Sequence, residues 1–212
     1  MIIEDGGISQ THEAHTILEA MIVTLKLKPG ELVTERQLFE LVGLGRTPVR
    51  EAILQLSWQG LVVVKPRVGL MVTKPEEHDA AFSMDVRKQL EPSISALVAA
   101  NGSESTRRNL LSCEQVLTSS LITGDIEAYL QADQNFSQIF ETACPNRFLI
   151  SAVRSAQSHT RRLWFIKASV ERMDRAVQGH IRVIRAVQQQ NAVDAFNATV
   201  ARMQSLAEDL TA

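Results

Sequence analysis

The stretch TERQLFELVGLGRTPVREAILQLSWQG, residues 34–60, constrains the fold more than any other part of the chain. Thr34 and Gln37 are spaced as a capping box, in which each side chain serves the other's backbone amide. The short helix it opens is expected to bury Leu38, Leu41 and Val42. Gly43 is placed to end that helix in the left-handed conformation, which residues with a Cβ resist. Thr47 is the expected cap of the next helix, with Pro48 at its first position, where a missing amide loses no partner. Val49, Ile53 and Leu56 then share one helical face, with Ala52 beside them. Gly60 ends the second helix. Two short helices joined by a tight glycine turn are therefore written into fewer than thirty residues.

The flanks extend this pattern. Ile17, Leu18, Met21, Ile22 and Leu25 recur at helical spacing, so residues 11–25 read as a helix, broken by Pro29-Gly30. LVVVKPRVGLMVT is β-branched, with Pro66–Gly69 as the turn between two strands. The short TKPEEHDA segment, residues 73–80, is the one plausible linker. Beyond it, helices are expected over 77–100, 105–121, 125–143, 147–166, 170–190 and 192–210. They are separated by Asn101-Gly102, Gly124, Pro145-Asn146 and the polar run Gln188–Asn191.

Composition agrees. Hydrophobic residues make up 45% of the 212, enough for a sizeable core, and 22% charged residues argue against disorder. No window holds 18 apolar residues, so no transmembrane helix or membrane partner is expected. MIIEDGGISQ is acidic at the start and unlike a signal peptide. Cys113 and Cys144 have no metal or disulfide-framework spacing. A cytoplasmic protein with reduced thiols is the expectation. There is no Gly-rich phosphate loop, no recognisable Ser/His/Asp order and no zinc-protease motif. Cys144 has no activating base. An enzyme is not indicated.

The net charge is −2, but its distribution is uneven. Between Arg36 and Lys74 there are six basic residues (Arg36, Arg46, Arg50, Lys65, Arg67, Lys74) and two acidic ones (Glu40, Glu51), a local balance of +4. Arg46 and Arg50 lie one turn apart and project together, opposite the Val49/Ile53/Leu56 face. A guanidinium fork matches guanine O6 and N7, and a helix N-terminus attracts phosphate. Arg36 can reach the flanking backbone and Thr47 a phosphate, while Lys65 and Arg67 sit at the hairpin tip. Double-stranded DNA is the partner this pattern suggests.

LKPGELVTERQLFELVGLGRTPVREAILQLSWQGLVVVKPRVGLMV resembles the winged helix-turn-helix of GntR-family bacterial transcription regulators, above all in ERQL, RTPVREA and the GLV that leads into the wing. The resemblance implies DNA contacts at Arg36, Arg46, Thr47 and Arg50, with Arg67 and Gly69 in the wing. Gly45 departs from the serine more common there, which removes one phosphate hydrogen bond. DVRKQLEPSISALVAA, ADQNFSQIFETACPNRFLI and GHIRVIRAVQQQNAVDAF are similar to the FCD ligand-binding domain of the FadR subgroup. The fold class that follows is mainly α: a winged helix-turn-helix DNA-binding domain at 1–74, then an all-α antiparallel bundle at 75–212 for effector binding and dimerisation.

In that subgroup an Asp and three His commonly hold a divalent metal, zinc or nickel, beside a small carboxylate effector. The matching positions are Asp133, Ser137, His180 and Arg202, with Ser205 near the last. Two metal ligands, Asp133 and His180, are retained. Serine is a poor zinc ligand and arginine cannot ligate, so a metal cofactor is disfavoured. Arg87 and Arg202 could instead bind an acid directly, with Asp133, Ser137 and His180 around it. Trp164 and Phe165 could line the pocket but read first as core; His159, Arg161 and Arg162 read as a surface cluster with weak pocket potential. His12 and His15 lie ahead of the DNA-binding segment without a ligand partner. The whole describes a homodimeric regulator whose operator affinity responds to a small acid. The alternatives are a constitutive regulator with a decayed pocket, or a helical enzyme with an ancillary DNA-binding module.

Overall fold

The computed structural model describes residues 9–65 and 68–211. They form two compact units that part between Glu76 and Glu77.

The first unit contains α1 (Gln10–Val23), β1 (Leu32–Val33), α2 (Glu35–Val42), α3 (Arg46–Trp58), β2 (Val62–Lys65) and β3 (Gly69–Val72). The strands form an antiparallel sheet in the order β1-β3-β2, with Leu70 opposite both Val33 and Val64. Its core joins Ala14, Leu18 and Ile22 of α1 to Leu38 and Val42 of α2, to the expected face of α3, and to Leu61, Leu70 and Val72. The capping box is present: Gln37 N–H donates to Thr34 Oγ1, and Thr34 N–H donates to Gln37 Oε1 at 2.9 Å. Gly43 is left-handed at φ 71°.

Several details differ from the sequence reading. α3 starts at Arg46 with Gly45 as its cap, and no side chain caps it; Thr47 lies within the helix. Pro48 is thus the third helical residue rather than the first. It still falls among the four amides that lack an intrahelical acceptor, so no bond is lost. Leu41 is exposed, not buried, because Phe39 is the third apolar residue of α2 that packs on the core beside Leu38 and Val42. α1 stops at Val23, and Leu25 is left-handed at φ 59°. β1 went unforeseen because two residues carry no periodicity. Its presence explains Gly69, which has φ 130° and where a Cβ would lie 2.5 Å from the Val33 carbonyl oxygen. Arg67 lies outside the described residues.

The second unit is helical: α4 (Asp79–Asn101), α5 (Glu104–Thr123), α6 (Ile126–Ala143), α7 (Arg147–Ile166), α8 (Val170–Gln188) and α9 (Ala192–Thr211). Ser103, Asp125, Asn146 and Ser169 cap four of these through their side chains. α4 packs against α7, α8 and α9, and α5 against α6 and α8. Pro92 lies inside α4, next to Glu91, where its ring withholds one amide from the helical ladder. No helix among the described residues is long and apolar enough to cross a membrane.

Candidate functional site

On the first unit, Arg46 and Arg50 are exposed on one face of α3, as their spacing requires. Each guanidinium carbon lies 6.0 Å from the ring centre of Phe39 on α2. Arg50 also donates from Nε to Glu35 Oε2 at 2.9 Å. That bond uses Nε rather than the terminal nitrogens. Sequence reading missed Phe39 and Glu35; the signal was an aromatic residue on a helix whose core positions were already filled. Arg36 pairs across one turn with Glu40 at 3.0 Å. The Arg36 side chain is 88% exposed, so this pair contributes little and yields readily. Thr47 and Lys65 are exposed. An open groove between α3 and the hairpin is lined by Glu35, Arg50, Leu54, Lys65 and Val68.

The second unit brings together the residues expected to surround an effector, and adds others. Arg87 of α4 donates from Nε to Glu91 Oε1 at 2.6 Å, and Gln157 Nε2 reaches the same oxygen at 3.0 Å. Arg202 of α9 donates to Glu91 Oε2 at 3.2 Å and, through Nη2, to Asp133 Oδ1 at 3.0 Å. Arg161 of α7 donates to Asp133 Oδ2 at 2.7 Å and to Ser137 Oγ at 2.8 Å. Ser137 Oγ in turn donates to the Asp133 carbonyl oxygen at 3.1 Å.

The sequence pattern puts Arg161 and Arg162 in a surface cluster with weak pocket potential. Both are buried, Arg162 completely. Counting charges on an helical wheel could not reveal this, because burial of an arginine depends on a carboxylate supplied by another helix. Glu91 and Gln157 were missed for the same reason. His15 also belongs to the packed part of its unit, with Nε2 3.0 Å from Gln59 Oε1 and Nδ1 3.6 Å from Glu19.

His180 fixes its own tautomer. Its Nδ1 lies 2.8 Å from the Ala176 carbonyl oxygen, which can only accept, so Nδ1 carries the proton. Nε2 then presents a lone pair, and Arg202 Nη2 lies 2.7 Å from it. The 2.9 Å approach of Nε2 to Asp133 Oδ1 is two acceptors sharing the hydrogens of one guanidinium nitrogen. Burial and the Arg202 charge lower the His180 pKa below 6.5, in keeping with a neutral ring. Burial works to raise the pKa of Asp133, but the proximity of His180, Arg161 and Arg202 overcomes it and holds the carboxyl well below its usual range. With His180 neutral, the two guanidiniums carry that effect. Burial likewise opposes ionisation of Glu91, and Arg87 and Arg202 reverse it.

With His180 neutral, three guanidiniums (Arg87, Arg161, Arg202) face two carboxylates (Glu91, Asp133), leaving one positive charge in a buried cluster. Beside it lies a narrow cleft of about 30 Å³, lined also by Tyr129, Trp164, Ser205, Leu206 and the Arg175–Asp209 ion pair. Trp164 is 3% exposed, and its indole N–H is buried without a hydrogen-bond partner. Phe165 does not line the cleft. Cys113 is no nucleophile: burial and the nearby Asp133 push its thiol up to about 12.

These donors do not suit a divalent metal. Asp133 and His180 offer one oxygen and one nitrogen. Ser137 is occupied by Arg161, and Arg202 is itself the cation between them. Among the described residues, no three His, Cys, Asp or Glu side chains converge as ligands.

Comparison with known proteins places both units. Residues 10–72 match the bacterial regulatory proteins of the gntR family, and residues 83–205 match the FCD domain. The chain is 33% identical over 97 residues to an HTH-type transcriptional regulator in an unstable DNA locus of Streptomyces ambofaciens, covering 45% of this chain and 41% of that one. It is 21% identical over 202 residues to the HTH-type transcriptional repressor RspR of Escherichia coli, covering 93% of this chain and 87% of the relative. Among solved structures, E. coli McbR/YncC shares the fold with a TM-score of 0.78 at 18% identity, over 97% of this chain and 98% of that one. A regulator from Rhodococcus sp. RHA1 does so with a TM-score of 0.70 at 19% identity, over 97% and 99%. The families and relatives matched are transcription regulators, not enzymes. With a helix-turn-helix whose second helix bears paired arginines, and a helical unit behind it in the chain, the protein belongs to the gntR family and is a DNA-binding transcription regulator carrying an FCD domain.

Proposed function

We propose that the chain acts as a homodimeric repressor whose operator affinity is set by a small acid bound in the helical unit. Arg46 and Arg50 read base edges from the start of α3, while Arg36, Thr47 and Lys65 engage the flanking backbone, with Arg67 and Gly69 in the wing. A single recognition helix spans only a few base pairs, so two-fold pairing over a palindrome supplies the length of a specific site. The acid binds at Arg87, Arg161 and Arg202, with Asp133, Ser137 and His180 around it. It shifts the population between forms that bind the operator differently. A repressing sign is supported by the printed name of the E. coli relative.

The observation that carries the effector reading is the surplus guanidinium charge beside a cleft. An incoming carboxylate can replace Glu91 or Asp133 as a partner, gaining charge-assisted bonds from donors already in place. The test has two arms. Genomic fragments are screened by gel shift for a promoter that is selectively retained, and small mono- and dicarboxylates are screened by thermal shift. An acid that raises the melting temperature and releases the retained promoter supports the proposal. Selective retention with no responsive acid leaves a constitutive regulator in its place.

A further inference from the structure

We infer that the guanidinium of Arg202 is the built-in cation of the helical unit, occupying the point on which a divalent metal would otherwise be ligated. The inference concerns the pocket proposed above but does not depend on an acid binding there. Three independent features meet at this group. The first is a ligand-like donor set. His180 directs a bare Nε2 lone pair at Arg202 Nη2 at 2.7 Å, and Asp133 directs Oδ1 at the same nitrogen at 3.0 Å. The Nδ1–H of His180 is tied to the Ala176 carbonyl at 2.8 Å, the kind of outer bond that orients a metal-binding imidazole. A neutral imidazole nitrogen and a carboxylate oxygen converging on one point call for a cation.

The second feature is that the backbone makes room for this particular cation. Gly179, next to His180 in the interior of α8, has no side chain, and a Cβ there would sit 3.1 Å from Arg202 Cγ. Glycine weakens a helix interior relative to alanine, so the position is taken at a disadvantage that the passage of the Arg202 stem accounts for. The third feature is saturation. The guanidinium also bonds Glu91 Oε2 at 3.2 Å and stacks over Phe136 with its carbon 5.4 Å from the ring centre. One side chain from α9 thus fastens α4, α6 and α8, as a bound ion would. Unlike an ion, it cannot be stripped by a chelator or exchanged.

Two measurements on the full-length protein decide this, and neither requires an effector. Protein purified without chelator is assayed for bound metal, and its melting temperature is followed with EDTA, with zinc and with nickel. The expected result is substoichiometric metal and an unmoved melting temperature in all three. One tightly held ion per subunit, or a melting temperature lowered by EDTA, overturns the inference. The same titration is then made on Arg202→His combined with Ser137→His, with folding checked by circular dichroism. At metal about a thousand times above Kd, its melting temperature should rise by about 8–16 °C and fall back with EDTA. If the paired variant does not fold, Arg202→His alone is read in the same way, and should neither fold, the wild-type measurement decides. A folded variant that ignores both metals shows that the point is no cation site and overturns the inference. Failure of every acid in the thermal-shift screen, with these results as expected, counts against the effector reading alone.

Discussion

Arg50 is the side chain whose removal should speak most directly. Its Nε donates to Glu35 and its guanidinium lies near the Phe39 ring, an arrangement that leaves the terminal nitrogens available for a base edge. Arg50→Ala should weaken operator binding by about 1–3 kcal/mol, about 5- to 150-fold, and relax discrimination at one or two base pairs. Fluorescence anisotropy on a panel of single-base operator variants checks this; uniform weakening across the panel would assign Arg50 to phosphate. The buried cluster makes a separate statement about pH. The folded-state pKa of His180 lies below 6.5, so below that pH the unfolded chain binds a proton that the folded chain refuses. The contribution is complete above 6.5 and is lost as pH falls. Asp133 and Glu91, also depressed, act in the same direction at lower pH, with stability lost as pH falls below about 4. The melting temperature should therefore decline from pH 7 to pH 5, and His180→Gln should flatten that decline relative to wild type. An equal slope in both would remove His180 from the account.

Among elements, the two glycines that shape the first unit are legible to different degrees. Gly43 closes α2 beside a capping box, and nothing lies within 4 Å of a Cβ built there. Its substitution by alanine should cost about 1–2 kcal/mol, the left-handed penalty alone. Gly69 adds a collision with the Val33 carbonyl to an unfavourable φ of 130°. Gly69→Ala should therefore destabilise more than Gly43→Ala in urea denaturation; a smaller effect would mean that β1 moves aside easily. The helices α2 and α3 could be read from caps and apolar spacing because those signals are local. β1 could not, since two residues become a strand only through the partner that β3 provides. Thr47 misled because a threonine before a proline resembles a cap, while the backbone of Gly45 already served.

For the whole molecule, the expected unit of action is a pair of chains on a palindrome. Operator footprints should show two protected half-sites about one helical turn, or a multiple of it, apart. Sedimentation at operator-binding concentrations should give twice the mass of one chain. A single protected half-site with a monomeric species would refute the dimeric reading. The indole of Trp164 offers an internal gauge of the pocket, because the other tryptophan, Trp58, is 81% exposed. In a Trp58→Phe background, an acid that enters the cleft should change the emission of the one buried indole, and an acid that leaves it unchanged is not bound there.

Local signals in the chain alone determined the helix-turn-helix, the hairpin, the succession of six further helices and the outward pairing of Arg46 with Arg50. Caps, glycines and periodicity act over a few residues, so they can be read without knowing what packs where. The residues that resemblance singled out, Arg87, Asp133, Ser137, His180 and Arg202, do meet in the structure, but their chemistry was decided only there. Whether a guanidinium lies in solvent or replaces an ion depends on carboxylates brought from other helices. Arg161 moved from the surface to the centre, and Arg202 found its lone pair, because burying a charge is tolerable only where the tertiary fold supplies its partner.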